Sequence, residues 1–208
     1  FQALGLSSDD RLIDRLWSFT ALLLKWNRTY NLTGARDETA LVREHLIDSL
    51  AAVPVLTSRL TSTSRDVPFL VDVGSGAGFP GIVVAAVHPD WSIALVEPNS
   101  KKAAFLRQAV ATLGLPHVHP IGARLQASER ILTDLSPSAS TIRHFTCRAV
   151  ASLADLVSLI RPLAQAQSRL FALKSRHVTE ELTAYPFASV HSLRIPSLDH
   201  ERTLVEIP

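Results

Sequence analysis

The stretch "FLVDVGSGAGFPGI", Phe69 to Ile82, decides the fold. An apolar run ends in Asp72 and Val73, and four glycines follow within eight residues: Gly74, Gly76, Gly78 and Gly81. Glycine takes positive φ without penalty and lets a ligand come close to the backbone. A turn of this kind between a strand and a helix holds a nucleotide-like ligand. Pro80 suits the first turn of the helix expected over about Pro80–Val87, because its missing N–H has no partner there in any case.

Downstream of this turn, strand and helix patterns alternate. The strands expected are Phe69–Val73, Ile93–Glu97, Val118–Ile121, His144–Arg148, Arg169–Lys174, Ser189–Ile195 and Thr203–Ile207. Further helices are expected at Lys101–Leu113 and Leu153–Leu163, and "SPSAS" at Ser136–Ser140 reads as a loop. Such alternation predicts an α/β fold, a mostly parallel sheet with helices on both faces. No helix separates the last two strands, which predicts a hairpin and one antiparallel strand near an edge. In such a sheet ligands bind at the carboxyl ends of the strands, where the strand order reverses.

Upstream, Leu12, Leu16, Phe19, Leu23 and Trp26 recur at helical spacing, with Ser7 or Ser8 available as the cap and Asp9 and Asp10 at the positive end of the dipole. Asn31 and Gly34 close this helix, and a second is expected over about Glu38–Leu56. The polar, Pro-ended stretch Thr57–Pro68 reads as a linker. The organisation expected is therefore an N-terminal helical extension over 1–60 and a ligand-binding domain over 66–208, forming one structural unit.

Composition bounds the class. Of 208 residues, 47% are hydrophobic, enough for a substantial core. No apolar run approaches the roughly 20 residues a membrane span needs, and no secretory leader opens the chain. A chain that begins at Phe1 without any methionine is expected to lack some N-terminal residues. One cysteine, Cys147, cannot form an internal disulfide, and no Cys/His cluster has zinc spacing. These features suit a cytoplasmic protein. The pI is near 9.0 but the formal net charge is only +2, a weak pointer to a polyanionic partner.

The glycine turn departs from two common patterns. A dinucleotide fingerprint reads G-x-G-x-x-G; counting from Gly74, the sixth residue is Phe79, too large for the close packing that the third glycine serves. There is no Gly-Lys-Ser/Thr, so it is no P-loop. The motif, Asp-x-Gly-x-Gly-x-Gly from Asp72, resembles motif I of the Rossmann-like S-adenosylmethionine (SAM) methyltransferases. That resemblance implies a class I methyltransferase fold, with a seven-stranded sheet carrying one antiparallel strand. Glu97 ends the second strand about twenty residues on, where an acid can accept from both ribose hydroxyls of NAD or SAM alike. Gly74, Gly76, Gly78 and Glu97 are the cofactor-binding candidates. A non-catalytic nucleotide-binding or RNA-binding domain stays open on these residues alone.

Within the methyltransferases, no Asn/Asp-Pro-Pro-Tyr/Phe follows the fourth strand, which disfavours exocyclic amine methylation. Cys147 stands near the strand end where a pyrimidine carbon-5 methylase places its thiolate nucleophile, but it lacks a preceding proline, and a lone cysteine usually fills a core.

The segments "KWNRTYNLTGARD", "REHLIDSL", "VDVGSGAGFPGI", "NSKKAAFLRQAVATLGL", "CRAVASL" and "LFALKS" follow in order from Trp26 to Lys174. Together they resemble the bacterial small-subunit rRNA methyltransferase G family (RsmG, or glucose-inhibited division protein B). The resemblance implies methyl transfer from SAM to ring nitrogen 7 of one guanine in 16S rRNA, met as naked RNA, a precursor particle or the 30S subunit. It also implies a monomer with no obligate protein partner and no membrane. By position it implies SAM contacts at Gly74, Phe79, Arg124, Leu125 and Arg148. Arg124-Leu125 stands where the family usually has Ala-Glu, so a side-chain carboxylate is lost there. Cys147 and Ser175 replace smaller residues, with little consequence expected.

Ring nitrogen 7 carries an in-plane lone pair and no proton, so no general base is expected, only alignment. Arg148 is the candidate to touch SAM or the guanine oxygen 6, or a phosphate. Lys174, closing the fifth strand, is a candidate RNA contact, and Asn31 a candidate to position the base, or else a helix stop. His45 and Asp48, three apart on a helix, are expected to hydrogen-bond helix to sheet domain.

Overall fold

The computed structural model describes residues 1–61, 67–136, 141–148, 151–174, 178–195 and 202–208. Its seven strands are β1 (Phe69–Val73), β2 (Ser92–Val96), β3 (Val118–Ile121), β4 (Arg143–Arg148), β5 (Leu170–Lys174), β6 (Ser189–Leu193) and β7 (Arg202–Ile207). They form one sheet in the order β3-β2-β1-β4-β5-β7-β6. β1 pairs in parallel with β2 and β4, and the parallel pairing continues outward to β3 and β5. β7 runs antiparallel to both β5 and β6, so the hairpin inserts its second strand into the sheet. The strand order turns around between β1 and β4, and the glycine turn leaves β1 at that point.

Strand alternation sorts the core into two layers. Leu70, Ile93, Leu95, Phe171, Leu173 and Leu204 face one layer. Phe69, Val71, Val96, Phe145, Leu170 and Val205 face the other. The first layer is covered by α1 (Asp10–Tyr30), α3 (Ile47–Thr61), α4 (Gly81–Val87) and α5 (Ser100–Leu113), whose buried residues join it. The second is covered by α7 (Leu153–Ile160) and shorter helical turns, among them Leu125–Ala127, α6 (Glu129–Asp134) and α8 (Thr179–Leu182). The last two of these carry too few apolar positions to stand out in sequence.

Several boundaries differ from expectation. Asp9, rather than Ser7 or Ser8, caps α1 by accepting the Leu12 N–H at 2.7 Å. The second helical stretch does not run evenly. A short turn of α-helix, α2 (Glu38–Leu41), leads into a wider turn, Val42–Leu46, closed by an Ile47 N–H donated to Val42 O. Helix then continues to Thr61, well into the stretch expected to be a linker. Thr57 and Thr61 extend it because their hydroxyls donate to the carbonyls four residues back, at 2.8 and 2.7 Å, and Leu60 is buried. The rest of that linker over 62–66 and the loop over 137–140 lie outside the described residues. Two ion pairs bind α3 to the last strand: Asp48 with Arg202 at 3.0 Å, and Arg59 with Glu206 at 2.8 Å.

Phe19 has no exposed surface and touches Phe79 and Phe105, with ring centroids 5.2 and 6.3 Å away. Phe19→Ala removes this ring from the layer joining α1 to the sheet. It is expected to lower unfolding free energy by about 3–5 kcal/mol, read as a shift of the urea midpoint at unchanged slope.

Candidate functional site

The glycine turn is held from below by the strands it leaves. The Gly74 and Ser75 N–H groups both donate to Val96 O, at 2.9 and 3.1 Å, and those of Gly78 and Phe79 to Ser75 O, at 2.7 and 3.2 Å. The glycines divide into two jobs. At Gly76 φ is +57°, and an added Cβ would meet nothing nearer than Gly74 O at 3.8 Å, so this face of the turn is bare backbone toward open space. At Gly81 an added Cβ would lie 2.3 Å from Leu95 Cδ2 and 2.5 Å from Asp72 Oδ2. Gly81 therefore supplies the close helix–strand packing for which Phe79 is too large. Gly78 is also buried, with Ile82 and Phe19 in the space a side chain would need. Pro80 precedes α4 as its cap residue, one position earlier than expected, and the Phe79–Pro80 peptide bond is cis.

Two carboxylates lie along the turn. Glu97 is buried, and its oxygens accept the N–H groups of Gly76 and Asn99, each at 2.8 Å. It thereby fixes the turn to the start of α5, and each oxygen keeps a second lone pair. Asp72 is wholly buried at the foot of the turn. Its Oδ2 accepts the Gly81 N–H at 3.0 Å, while Oδ1 has no partner among the described residues. Burial pushes the Asp72 carboxyl up to about 7, against the opposing pull of the Gly81 hydrogen bond.

Phe79 gathers side chains from three segments. Besides Phe19, the His45 ring stacks on it at 5.4 Å and the Arg148 guanidinium lies 5.2 Å from its centroid. Arg148 donates to Glu44 O at 3.2 Å and lies 3.8 Å from Asp48 Oδ2. Burial lowers its pKa from the usual guanidinium value. Burial, with help from the Arg148 and Arg202 cations, brings His45 down to about 4. The imidazole is therefore neutral at pH 7. Its Nε2 shares a 2.7 Å hydrogen bond with the Thr33 hydroxyl, and its Nδ1 is buried without a partner among the described residues.

His45 and Asp48, expected to hydrogen-bond the helix to the sheet domain, take different partners. Asp48 does reach the sheet, through Arg202 and Arg148, whereas His45 reaches the glycine turn.

Lys174, expected as an RNA contact at the end of β5, is placed differently. Arg148 is the cross-strand partner of Leu173, so Lys174, one residue on, projects to the opposite face. Its side chain is only 9% exposed, and its ammonium donates to Ala151 O at 2.6 Å and to the Glu181 carboxylate at 3.2 Å. These bonds hold the ammonium within the chain rather than extended toward solvent. Leu125 points its side chain into the second core layer, while Arg124 is exposed and its carbonyl accepts the Ser128 hydroxyl. Asn31 is exposed, with φ +49°, and closes α1 by donating its N–H to Asn27 O. Cys147 is buried among the second-layer side chains. Gly81, Thr33 and Glu44 were not singled out in the sequence. Only Gly81 carried a signal there, as the fourth glycine of the motif.

A family model described as rRNA small subunit methyltransferase G (GidB) matches residues 12–205. The chain belongs to this family. The protein of that name from Acidovorax sp. (strain JS42) is 38% identical over 98% of this chain and 89% of the relative. The one from Leptothrix cholodnii is 40% identical over 98% and 90%. Among solved structures, a human methyltransferase 10 domain containing protein superposes with a TM-score of 0.60 at 10% identity, covering 97% of this chain and 98% of that one, a likeness of fold alone. Family and fold make SAM the methyl donor.

The turn suits that cofactor. SAM carries an ammonium and a sulfonium but no phosphate. Around the bare backbone at Gly74 and Gly76 the chain places two acceptor carboxylates and, among the described residues, no lysine or arginine hydrogen-bonded to the turn; one oxygen of Asp72 likewise has no partner among them.

The raised carboxyl of Asp72 has a pH signature. Below about pH 4 it is protonated folded or unfolded. Between about 4 and 7 the unfolded chain releases the proton and the folded one keeps it, so stability falls as pH rises through this window and levels off above it. Asp72→Asn does not titrate. Its melting temperature relative to wild type is expected to climb from pH 4 to pH 7 and then hold. A difference independent of pH would mean that Asp72 is ionised in the fold.

Proposed function

We propose that this protein transfers a methyl group from SAM to ring nitrogen 7 of a guanine in 16S rRNA, as a monomer in the cytoplasm. The observation that carries the reading is the composition of the site in a chain of this family. The open glycine turn is bordered by Glu97 and by an arginine, Arg148, packed on Phe79, with no activated nucleophile beside it among the described residues.

When bound, SAM supplies a methyl carbon activated by its sulfonium. The nucleophile is the in-plane lone pair of the guanine nitrogen, which bears no proton, so the protein needs neither a base nor a covalent intermediate. Its residues hold the reactants in line. Glu97 keeps one lone pair on each oxygen for the ribose hydroxyls while its other lone pairs brace Gly76 and Asn99. The backbone of Gly74 and Gly76 leaves room for the methionine end, and that of Phe79, Arg124 and Leu125 is offered to the rest of the cofactor. Arg148 stands at the end of β4 with a quarter of its side chain exposed, placed to touch the cofactor or the guanine oxygen 6.

The pyrimidine carbon-5 reading requires a thiolate. Burial pushes the Cys147 thiol up to about 12, helped by the Asp72 charge, and its side chain faces the core. Such a thiol is neither ionised near neutral pH nor open to a base.

The deciding experiment gives the protein SAM and small-subunit rRNA from cells that lack the family enzyme, as naked RNA and as 30S subunits in parallel, and maps the product. Methylation of one guanine at nitrogen 7, retained by Cys147→Ser, is expected. Label on a pyrimidine, or loss of transfer in Cys147→Ser with SAM binding intact, would overturn the assignment.

A further inference from the structure

With Lys174 committed to Glu181, other exposed cations are the ones left to meet RNA phosphates. The end of α1 offers such cations on the same edge as the glycine turn. Here Asn27, Arg28, Asn31, Thr33 and Arg36 border a cavity of about 760 Å³, within the range of roughly 300–1,000 Å³ for ligand pockets. The cavity is preformed. The Asn27 side chain donates to Ala35 O at 3.0 Å and accepts the Thr33 N–H at 2.9 Å, so one amide braces the loop from both sides. The loop is also tied to the cofactor turn, because the Thr33 hydroxyl bonds the His45 ring that stacks on Phe79.

The lining has the chemistry of single-stranded RNA. Arg28 and Arg36 are exposed, and neither forms an ion pair with a carboxylate among the described residues. Asp37 and Glu38 also line the cavity; the Asp37 carboxylate is occupied as the cap of α2, accepting the Ala40 N–H at 2.8 Å. Beside Arg28 in the last turn of α1, Tyr30 is 44% exposed. Its ring packs on Trp26 at 5.2 Å, which is itself seated on Phe105 at 5.6 Å, so the platform is rigid. The Lys101 ammonium lies 5.9 Å from the Tyr30 centroid, at the start of α5 just beyond Glu97. An exposed aromatic on a fixed support, flanked by cations, is how proteins hold unstacked bases and their phosphates.

We propose that the end of α1 is the RNA-docking surface: a base next to the target guanine stacks on Tyr30, and the adjoining phosphates lie against Arg28 and Arg36. This rests on the assignment of rRNA as substrate and adds where the strand is held. The Lys101 ammonium moves from the ring face to the phosphate of the stacked nucleotide. Because the loop bonds His45, and His45 packs on Phe79, a strand seated here is positioned against the cofactor turn without touching SAM.

The probe is an in vitro transcript of small-subunit rRNA, with affinity read by filter binding across a salt series and SAM affinity read by calorimetry. Tyr30→Ala is expected to weaken RNA binding at least about fivefold, the low end for loss of one stacked base. SAM affinity and melting temperature should be unchanged, and Tyr30→Phe should restore RNA affinity. The Arg28→Ala/Arg36→Ala double variant is expected to flatten the slope of log affinity against log salt by about 1.4, two phosphates at about 0.7 each. Arg11→Ala, at the other end of α1, should leave the slope as it is. Wild-type RNA affinity and slope in the Tyr30 and double-arginine variants would overturn the surface, as would a loss of SAM affinity in Tyr30→Ala. Since affinity is read without turnover, a wild-type protein that binds the transcript through these residues yet methylates neither it nor 30S subunits would overturn the reaction assigned and leave the docking surface standing.

Discussion

The site depends on the packing of one ring. Phe79 ends the glycine turn, and the side chains that order it come from α1, from the wide turn after α2 and from β4. Each contact is modest. An aromatic pair adds about 0.5–1.5 kcal/mol beyond its area, and a partly buried cation over a ring about 0.5–2 kcal/mol. Their effect lies in where they act. Gly74, Gly76 and Gly78 all sit at positive φ, a conformation their neighbours must hold in place, and Phe79 is covalently next to it. Fixing the ring fixes the turn, and the N-terminal helices thereby become part of the cofactor site. A small residue at position 79, as in a dinucleotide fold, would have nothing to hold His45 or Arg148 against the turn.

Strand alternation then decides what each charge at the sheet edge can do. His144, Thr146 and Arg148 share the face of β4 that looks toward the N-terminal helices, so Arg148 reaches Glu44 and Asp48. Lys174, one step out of register, falls on the face of α7 and finds Glu181. Farther along, Glu206 is 2% exposed yet keeps a carboxyl below its ordinary pKa, because hydrogen bonds from Arg59, His191 and Arg169 outweigh its burial. Asp48 and Glu206 thus pin α3 to β7 at two points, joining an early helix to the last strand through groups that are costly to leave unpaired.

The architecture was legible because it rests on local periodicity. The seven strands appear where apolar alternation placed them, and the glycine motif marks the turn at the sheet's reversal. What escaped the sequence depends on register and helix phase. Nothing in "LFALKS" tells which face of β5 Lys174 takes, because that follows from pairing with β4. Nothing in "REHLIDSL" announces one residue more than a regular helical turn holds. The polar, Pro-ended run after Leu56 read as linker, whereas the hydroxyls of Thr57 and Thr61 bond carbonyls four residues back within the helix. Asn31 read equally as base contact and helix stop. Its left-handed backbone meets the second reading, and its exposed side chain at the cavity leaves the first in place.

The charge balance of the site follows from the same packing. Methyl transfer to a guanine nitrogen moves a positive charge from the donor to the base and creates none. A protein serving this step must tolerate a cation at both positions, and an uncompensated arginine next to the base would oppose the product. In the reading proposed above Arg148 is the cation placed toward the base, and it is not uncompensated. Asp48 lies 3.8 Å from it, and the Glu44 carbonyl accepts one of its N–H groups. His45 beside it is kept neutral by burial and by Arg148 itself. On the donor side, Glu97 and Asp72 supply negative charge or acceptor oxygens along the turn. The arrangement is therefore close to balanced at both ends of the transfer path, with dipoles fixed before the substrate arrives. Asp48 does two jobs with one carboxylate: it anchors α3 to the last strand through Arg202, and it screens Arg148 at the end of β4.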